Sequence, residues 1–313
     1  MSRLAFLLAL AVGCAALAGC GKKTNDEPDG PAEPPDSTEY TITLKQPGVG
    51  TTANGSFKIR MRIELSGEGL VALVGLPAPI EMNEEATYTE TILEQPPGAK
   101  KPTKSRIRFD KWEKGGSGPR LSDPAAVDRV VRRDILFENH GGKYGFFAQD
   151  GGRIDRGVEI FLEQRYIELY EGFSAKDFLP NKPVRPGVKW DIPVKRLTTA
   201  LGQANQQLSL DDAKSKGFGR LLGVSARDGR QYGRVELSAT LYPAVRGDGF
   251  AFSEGANIQV TTTVNTCIDG SLHDVRAEAR VEADFGVMAQ GHTVRVKIDG
   301  KVNLTEVEVK EKG

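Results

Sequence analysis

The sequence predicts an α+β fold dominated by β-structure, in which a long-stranded, twisted antiparallel sheet or open half-barrel is covered by one or two helices. Polar and apolar residues alternate over long stretches, which is the pattern of strands with one buried face. Asp-Gly pairs, which favour two-residue hairpin turns, separate neighbouring stretches. Helical spacing is confined to short segments, so we expect helices only as a cover for the sheet.

Length, charge and cysteine content limit the classes of function. With 313 residues, of which 39% are hydrophobic, the chain can bury a sizeable core. Lysine plus arginine and aspartate plus glutamate each total 42, so no excess of positive charge can neutralise a phosphate backbone, and we expect no nucleic-acid partner. Three cysteines, one of them inside the apolar N-terminal run, are too few for a disulfide scaffold or a four-cysteine zinc site. We expect no cofactor and no metal.

The N-terminus has the pattern of an export signal. Arg3 is followed by an apolar run over residues 4–18, and the run closes with Leu17-Ala18-Gly19-Cys20. The run is shorter than the roughly 20 apolar residues of a membrane-spanning helix. The segment resembles the leader of a bacterial lipoprotein, whose lipobox ends in the cysteine that becomes the mature N-terminus. The resemblance implies that residues 1–19 are removed and that Cys20 is the lipidation site, which anchors the chain to a membrane.

The residue after the lipobox and the segment that follows it suggest where the domain sits. In the lipoproteins of enteric bacteria an aspartate after the cysteine marks retention at the inner membrane, whereas Gly21 occupies that place here. The resemblance therefore favours the periplasmic face of the outer membrane, where the host has one. Residues 20–39 are rich in proline and acidic residues, which predicts a disordered tether. Residues 40–313 are then a single β-rich domain, with 40–180 and 181–313 as possible halves.

The first strand signal follows the tether. Apolar residues alternate with charged ones from Phe57 to Leu65, which places the apolar side chains on one face of a strand. Tyr40, Ile42 and Leu44 are expected to form its partner strand, joined to it through the turn-prone residues 46–50.

The C-terminal third predicts a three-stranded meander over residues 256–305. Apolar residues occupy the odd positions from Val275 to Val287 and charged residues the even ones. If residues 288–291 form a four-residue loop, antiparallel pairing brings opposite charges together on one face and apolar residues on the other. The predicted charge pairs are Asp284–Arg295, Glu282–Lys297, Arg280–Asp299 and Glu278–Lys301.

Two Asp-Gly pairs predict further hairpins. A turn at Asp269-Gly270 sets Val264 opposite Val275 in the same meander, and Asp228-Gly229 joins another pair of strands. Three segments have helical signals: residues 158–171, a short helix after Asp123-Pro124, and residues 209–217.

Residues 179–190 resemble a segment of an uncharacterised family of exported, β-rich bacterial lipoproteins. The likeness lies in the Leu179-Pro180 turn and in Gly187 three residues before Trp190, and it implies no activity. The residue pattern itself predicts a strand in which Val188, Trp190, Ile192 and Val194 point inward. Pro193 has no N–H to donate and therefore indicates an edge strand.

The sequence carries no catalytic motif of the common hydrolases, so we expect a non-enzymatic binding or structural role in the cell envelope and no catalytic residue. The alternatives are a hydrolase with dispersed carboxylates and a scaffold that binds an envelope protein through the edge near Pro193 or through the mixed-charge outer face. Cys267 and His273 lie near one turn, but the predicted register sends their side chains to opposite faces, which argues against a metal site.

One part of the predicted apolar face is lined by small residues. Ala277, Ala279, Ala283 and Gly300 fill little of the space above the sheet, so we treat them as candidate ligand-facing residues. A helix such as 158–171 could approach closely and cover them. Alternatively, the space holds a lipid-like or other hydrophobic ligand.

Overall fold

The computed structural model describes residues 37–67, 79–97, 102–117, 128–140, 143–156, 158–159, 162, 175–204, 209–244, 250–289 and 292–309. Cys20, the leader and most of the predicted tether lie outside these residues. The strands are β1 (Thr52–Ser66), β2 (Ile80–Glu94), β3 (Lys104–Gly115), β4 (Asp134–His140), β5 (Lys143–Ala148), β6 (Lys189–Asp191), β7 (Ser209–Leu210), β8 (Lys216–Arg227), β9 (Arg230–Leu241), β10 (Pro243–Ala244), β11 (Phe250–Phe252), β12 (Ile258–Cys267), β13 (Asp274–Ala289) and β14 (His292–Glu308). The helices with defined bounds are the 3-10 helix Ala175–Phe178 and α1 (Val194–Ala204).

Twelve of these strands form one antiparallel sheet, which confirms the predicted fold class. The strand order is β5-β4-β3-β2-β1-β14-β13-β12-β9-β8-β6, and β11 pairs with the end of β13. The order is open, with β5 at one edge and β6 at the other. Because β1 lies between β2 and β14, the first and last strands are neighbours at the centre of the sheet.

One face of the sheet carries the core. On β13 the odd positions from Ala277 to Val287 are buried and most even positions are exposed, as the alternation predicts. We call the side that carries Ile63, Val281 and Val296, each fully buried, the apolar face. Its buried side chains form a central cluster, a second cluster over β2 to β5, and a third around β8 and β9. Phe57, on the same side of β1 as Ile63, packs against the second cluster, and Leu237 packs against both the central and third clusters.

The hairpin of β13 and β14 has a register that differs from the predicted one. Ala289 pairs with His292, so two residues connect the strands instead of four, and every partner is displaced by two positions. Asp284 therefore lies opposite Lys297 instead of Arg295. A displacement of two residues keeps every side chain on its own face, so the alternation in the sequence fits both registers equally well.

Two of the predicted ion pairs nevertheless form, as diagonal contacts between neighbouring strands. Arg295 donates to the two carboxylate oxygens of Asp284 at 2.7 and 2.8 Å, and Lys301 Nζ lies 2.8 Å from a Glu278 oxygen. The other two predicted pairs are wrong, because the partners on the polar face are Glu282–Asp299 and Arg280–Lys301.

The β12–β13 connection is also longer than predicted, whereas the β8–β9 turn is as predicted. β12 ends at Cys267 and β13 begins at Asp274, so Val264 lies opposite Ala277 instead of Val275. The Asp269 carboxylate accepts the N–H groups of Ser271 and Gln231, which holds a wide turn in place of a two-residue one. In contrast, Asp228 and Gly229 have φ angles of 52° and 72° and form the predicted two-residue turn between β8 and β9.

The segment before β1 is not the partner strand that the alternation suggested. Tyr40 exchanges backbone hydrogen bonds with Val184, and the Thr43 N–H donates to Ile268 O at 2.7 Å. Ile42 is buried in the third cluster. The segment therefore contacts Val184 and the β12–β13 connection instead of β1. β1 is paired with β2 on one side and with β14 on the other.

The prediction of a helix over residues 209–217 is wrong. β7 covers Ser209 and Leu210, and the Asp211 carboxylate then accepts the N–H groups of Ala213 and Lys214, which makes a tight turn before β8.

The region around Pro193 follows the prediction in part. β6 is an edge strand, as expected, but it comprises only Lys189–Asp191 and Val188 is half-exposed. Val194 begins α1 immediately after Pro193, which suits the start of a helix because it has no N–H to leave unpaired.

Two predicted helices lie only partly within the described residues. Val158 and Leu162 are helical and buried in the second cluster, and the remaining residues of the predicted helix 158–171 lie almost entirely outside the described part. Residues 128–130 are helical, whereas Asp123, Pro124 and Val127 fall outside it.

Candidate ligand-binding face

The four candidate residues lie together on the apolar face. Ala277, Ala279 and Ala283 are on β13 and Gly300 is on the neighbouring β14, and all four are buried. Ala279 lies opposite Val302, and Ala283 lies opposite Ile298. Each small residue on one of these two strands thus lies opposite a larger apolar residue on the other, as in a close-packed core.

A methionine fills the space above the glycine. Met61 on β1, Gly300 on β14 and Val281 on β13 are successive partners across three strands. A Cβ atom built on Gly300 would lie 3.5 Å from Met61 Cε and 3.5 Å from Val281 Cβ. Met61 is buried, and its unbranched thioether side chain can change rotamer more easily than a branched one. The sequence pattern placed Met61 on the apolar face but gave no sign of this contact.

The helical cover of the central cluster differs from the one that the sequence suggested. Val194 and Leu197 of α1 and Phe178 of the 3-10 helix belong to the central cluster. The described residues of the predicted cover, Val158 and Leu162, pack in the second cluster instead. Leu162 is therefore placed over β2 to β5 and not over the candidate alanines.

The apolar face also carries a buried carboxylate beside a tryptophan. Glu84 on β2 is 7% exposed, and its carboxylate accepts the Trp112 indole N–H at 2.7 Å. Lys114 Nζ lies 3.6 Å from the same carboxylate and 5.9 Å from the centre of the Trp112 ring. The hydrogen bond from Trp112 and the positive charge of Lys114 stabilise a carboxylate at this depth.

A second polar group lies where β1 begins and β14 ends. Tyr88 on β2 lies across Gly55, whose Cβ, if present, would be 2.2 Å from the Tyr88 ring. The Tyr88 hydroxyl thereby reaches across β1 and donates to Glu306 Oε1 of β14 at 3.0 Å. Only a residue without a side chain allows this crossing, so Gly55 positions Tyr88.

Further titratable groups converge on the same place. His273 Nε2 lies 3.1 Å from Glu306 Oε2, and the His273 backbone N–H donates to Glu308 at 3.2 Å. Lys45 Nζ donates to both oxygens of Glu308 at 2.7 Å. Together with Glu90 on β2, we call Glu306, Glu308, His273 and Lys45 the clasp cluster.

Two groups of the clasp cluster bind protons unusually tightly. Glu90 is half-buried, with its carboxyl group the enclosed part, and burial together with the charge of Glu306 raises the pKa of Glu90 to about 7. Burial alone would lower the pKa of His273, but the contact with Glu306 and the nearby charges of Glu308 and Glu90 outweigh it and raise that pKa. Glu90 and His273 therefore both keep their protons to higher pH than the same side chains would in water.

Cys267 and His273 have different partners. Cys267 is a buried free thiol. Its Sγ atom lies 3.1 Å from Asp269 Oδ1 and 3.5 Å from Ser271 Oγ. The His273 ring contacts Glu306 instead. Within the ranges that the structure describes, no group of three or more histidine, cysteine, aspartate or glutamate side chains is arranged to hold a metal ion. In the same part of the chain, no helix is long and apolar enough to cross a membrane.

Comparisons with known proteins give no family assignment. No family model and no curated protein matches the chain. Similar solved structures include lipovitellin, from work on lipid–protein interactions in that protein, with a TM-score of 0.39 and 8% identity over 85% of this chain. The chain spans 26% of the lipovitellin chain. Another is OprB of Pseudomonas putida at low pH, with a TM-score of 0.11 and 9% identity, covering 82% of this chain and 91% of OprB. Neither TM-score is high enough to carry an assignment of fold or function.

Proposed function

We propose that this chain is a lipid-anchored binding protein of the bacterial cell envelope that holds an apolar ligand against the centre of its apolar face. The observation that carries the ligand proposal is the row of Met61, Gly300 and Val281, in which the flexible Met61 side chain, together with Val281, lies over a residue that has no side chain. The role is binding and not catalysis.

The chemistry of the central cluster determines the ligand class. Its buried members are aliphatic, aromatic or methionine side chains, so a ligand there gains free energy only from apolar surface. At about 25 cal/mol per Å² of apolar area, an acyl chain that displaces the Met61 side chain can offset the cost of moving it. The ligand is therefore a molecule with a long apolar part, such as an acylated lipid.

The anchoring proposal rests on the leader. The apolar run over residues 4–18 ends in the lipobox Leu17-Ala18-Gly19-Cys20, and acylation of Cys20 would attach the domain through the tether 20–39. By the same resemblance, Gly21 after the lipobox favours the periplasmic face of the outer membrane, where the host has one. A membrane-attached domain meets lipid-like ligands at their source, so the two proposals are compatible.

Binding of a fluorescent fatty acid tests the ligand proposal. The chain from Gly21 onward, which keeps every described residue, is titrated with cis-parinaric acid. Ala283→Leu adds a larger side chain beside Ile298 and is expected to weaken binding about tenfold by occupying the ligand's space. Gly300→Ala is a milder second variant, because its methyl group would make ordinary contacts at 3.5 Å and should leave folding intact.

Ala226→Leu is the matched control, because Ala226 is exposed on β8. It should bind the probe as the unchanged protein does. Binding that is equal in Ala283→Leu, Gly300→Ala and Ala226→Leu would place the ligand elsewhere. If the unchanged protein fails to bind the fatty acid or any phospholipid tested in its place, the proposal is wrong.

A further inference from the structure

The clasp cluster joins parts of the chain that are distant in sequence. It brings together Glu90 of β2, Glu306 and Glu308 of β14, His273 of the β12–β13 turn and Lys45 of the segment before β1. Three carboxylates face two basic groups here. We propose that the protons held by Glu90 and by the His273–Glu306 pair fasten the segment 40–45 to the sheet, and that their loss releases the segment.

The segment is held through the turn that carries His273. The Thr43 N–H donates to Ile268 O at 2.7 Å, and Lys45 binds the same Glu308 carboxylate that accepts the His273 N–H. The position of this turn depends in part on the contact between His273 and Glu306. The segment, the turn and the end of β14 are therefore one connected unit.

The groups that face Glu90 define the charge balance. Glu306 lies on β14 and repels an ionised Glu90, while His273 attracts it. From β3, the fully buried Ser105 hydroxyl lies beside Glu90 and favours its ionised form, although it makes no well-aligned hydrogen bond. From β2, the Tyr88 hydroxyl donates its hydrogen to Glu306.

The protonation state decides whether these contacts attract or repel. With Glu90 neutral and His273 charged, Glu306 has a tyrosine donor and a cation beside it. Once Glu90 and His273 both lose their protons, two partly enclosed carboxylates remain near each other, and Glu306 keeps only neutral donors, the Tyr88 hydroxyl and the Nε2–H tautomer of the His273 ring. The repulsion acts on Glu306 and hence on the turn.

The direction of the pH dependence follows from the folded-state pKa values. Both Glu90 and His273 have raised pKa values, so the stability that they contribute is present at acidic pH and is lost as the pH rises through about 7. Burial would raise the pKa of Glu308, but Lys45 and the His273 N–H outweigh it and lower that pKa, so its contribution is lost only in more acidic solution. The segment is held most firmly at mildly acidic pH.

Hydrogen exchange of the purified protein tests the proposal. The amide protection factors of residues 40–45, corrected for the intrinsic pH dependence of exchange, are compared with those of β13 at about pH 6 and about pH 8.5. In the unchanged protein, protection of the segment relative to β13 should fall at least about tenfold at the higher pH. In Glu90→Gln, which mimics the protonated acid, it should fall much less.

Glu282→Gln is the matched control, because the same change is made on the exposed polar face of β13. It should behave as the unchanged protein does. If Glu90→Gln loses protection as strongly as Glu282→Gln, Glu90 does not hold the proton. The unchanged protein alone also decides the matter: protection of the segment that is independent of pH, or an NMR titration of the His273 ring that does not follow it, would overturn the proposal.

Discussion

Replacing Val281 with aspartate should prevent the domain from folding. Val281 is fully buried at the centre of the apolar face, between Val260 of β12 and Gly300 of β14. A carboxylate in this position would have apolar neighbours, and burying an unpaired charge costs several kcal/mol. Because a domain has only about 5–15 kcal/mol of net stability, we expect loss of the cooperative unfolding transition.

The adjacent residue provides the control. Glu282 is exposed on the polar face, where it lies opposite Asp299. Glu282→Gln removes one of two like charges, so the urea midpoint should stay the same or rise slightly. Circular dichroism and urea unfolding of the two variants measure the effect. A folded Val281→Asp with nearly unchanged stability would show that this face is not the core.

Replacing Cys20 with alanine should abolish acylation and membrane retention. The proposed anchor is two or three acyl chains on this residue, each contributing about 0.8 kcal/mol per buried CH₂, and its loss leaves the tether without a membrane attachment. Metabolic labelling with a fatty acid, mass spectrometry of the N-terminus and cell fractionation measure the outcome.

Cys14 is a matched control inside the same leader. Cys14→Ala makes the same chemical change within the apolar run and should leave acylation unchanged, because the lipobox ends at Cys20. If Cys20→Ala fractionates with the membrane as the unchanged protein does, or if both variants lose the label, the lipoprotein proposal is wrong.

The sequence predicted the faces of the sheet but not its registers. Period-two alternation over β13 and β14 states which side chains share a face, and both the predicted and the observed registers satisfy it. The choice depended on the length of the β13–β14 connection, which the sequence does not state. Likewise, Asp228-Gly229 forms a two-residue turn, whereas Asp269-Gly270 does not, because the latter turn is held by Gln231 and Thr43 from distant parts of the chain.

Contacts between non-adjacent strands explain why the clasp cluster was not predicted. Tyr88 reaches Glu306 only because Gly55 lies between them on β1, and this requires the order β2-β1-β14. No spacing in the sequence encodes that order. The helix α1 was also missed, because the alternation of Val188, Trp190, Ile192 and Val194 continues the strand pattern past Pro193, where the helix begins.

The most direct test of the account is an NMR measurement of the Met61 methyl group. In protein with ¹³C-labelled methionine methyl groups, we expect NOE contacts from Met61 Cε to Gly300 and to Val281 without ligand, with Met61→Leu used for the assignment. Adding cis-parinaric acid should weaken these contacts and shift the Met61 signal before the signals of Met82 and Met288. Absent contacts to Gly300, or a Met61 signal that stays unchanged while the fatty acid binds, would contradict the proposed ligand site.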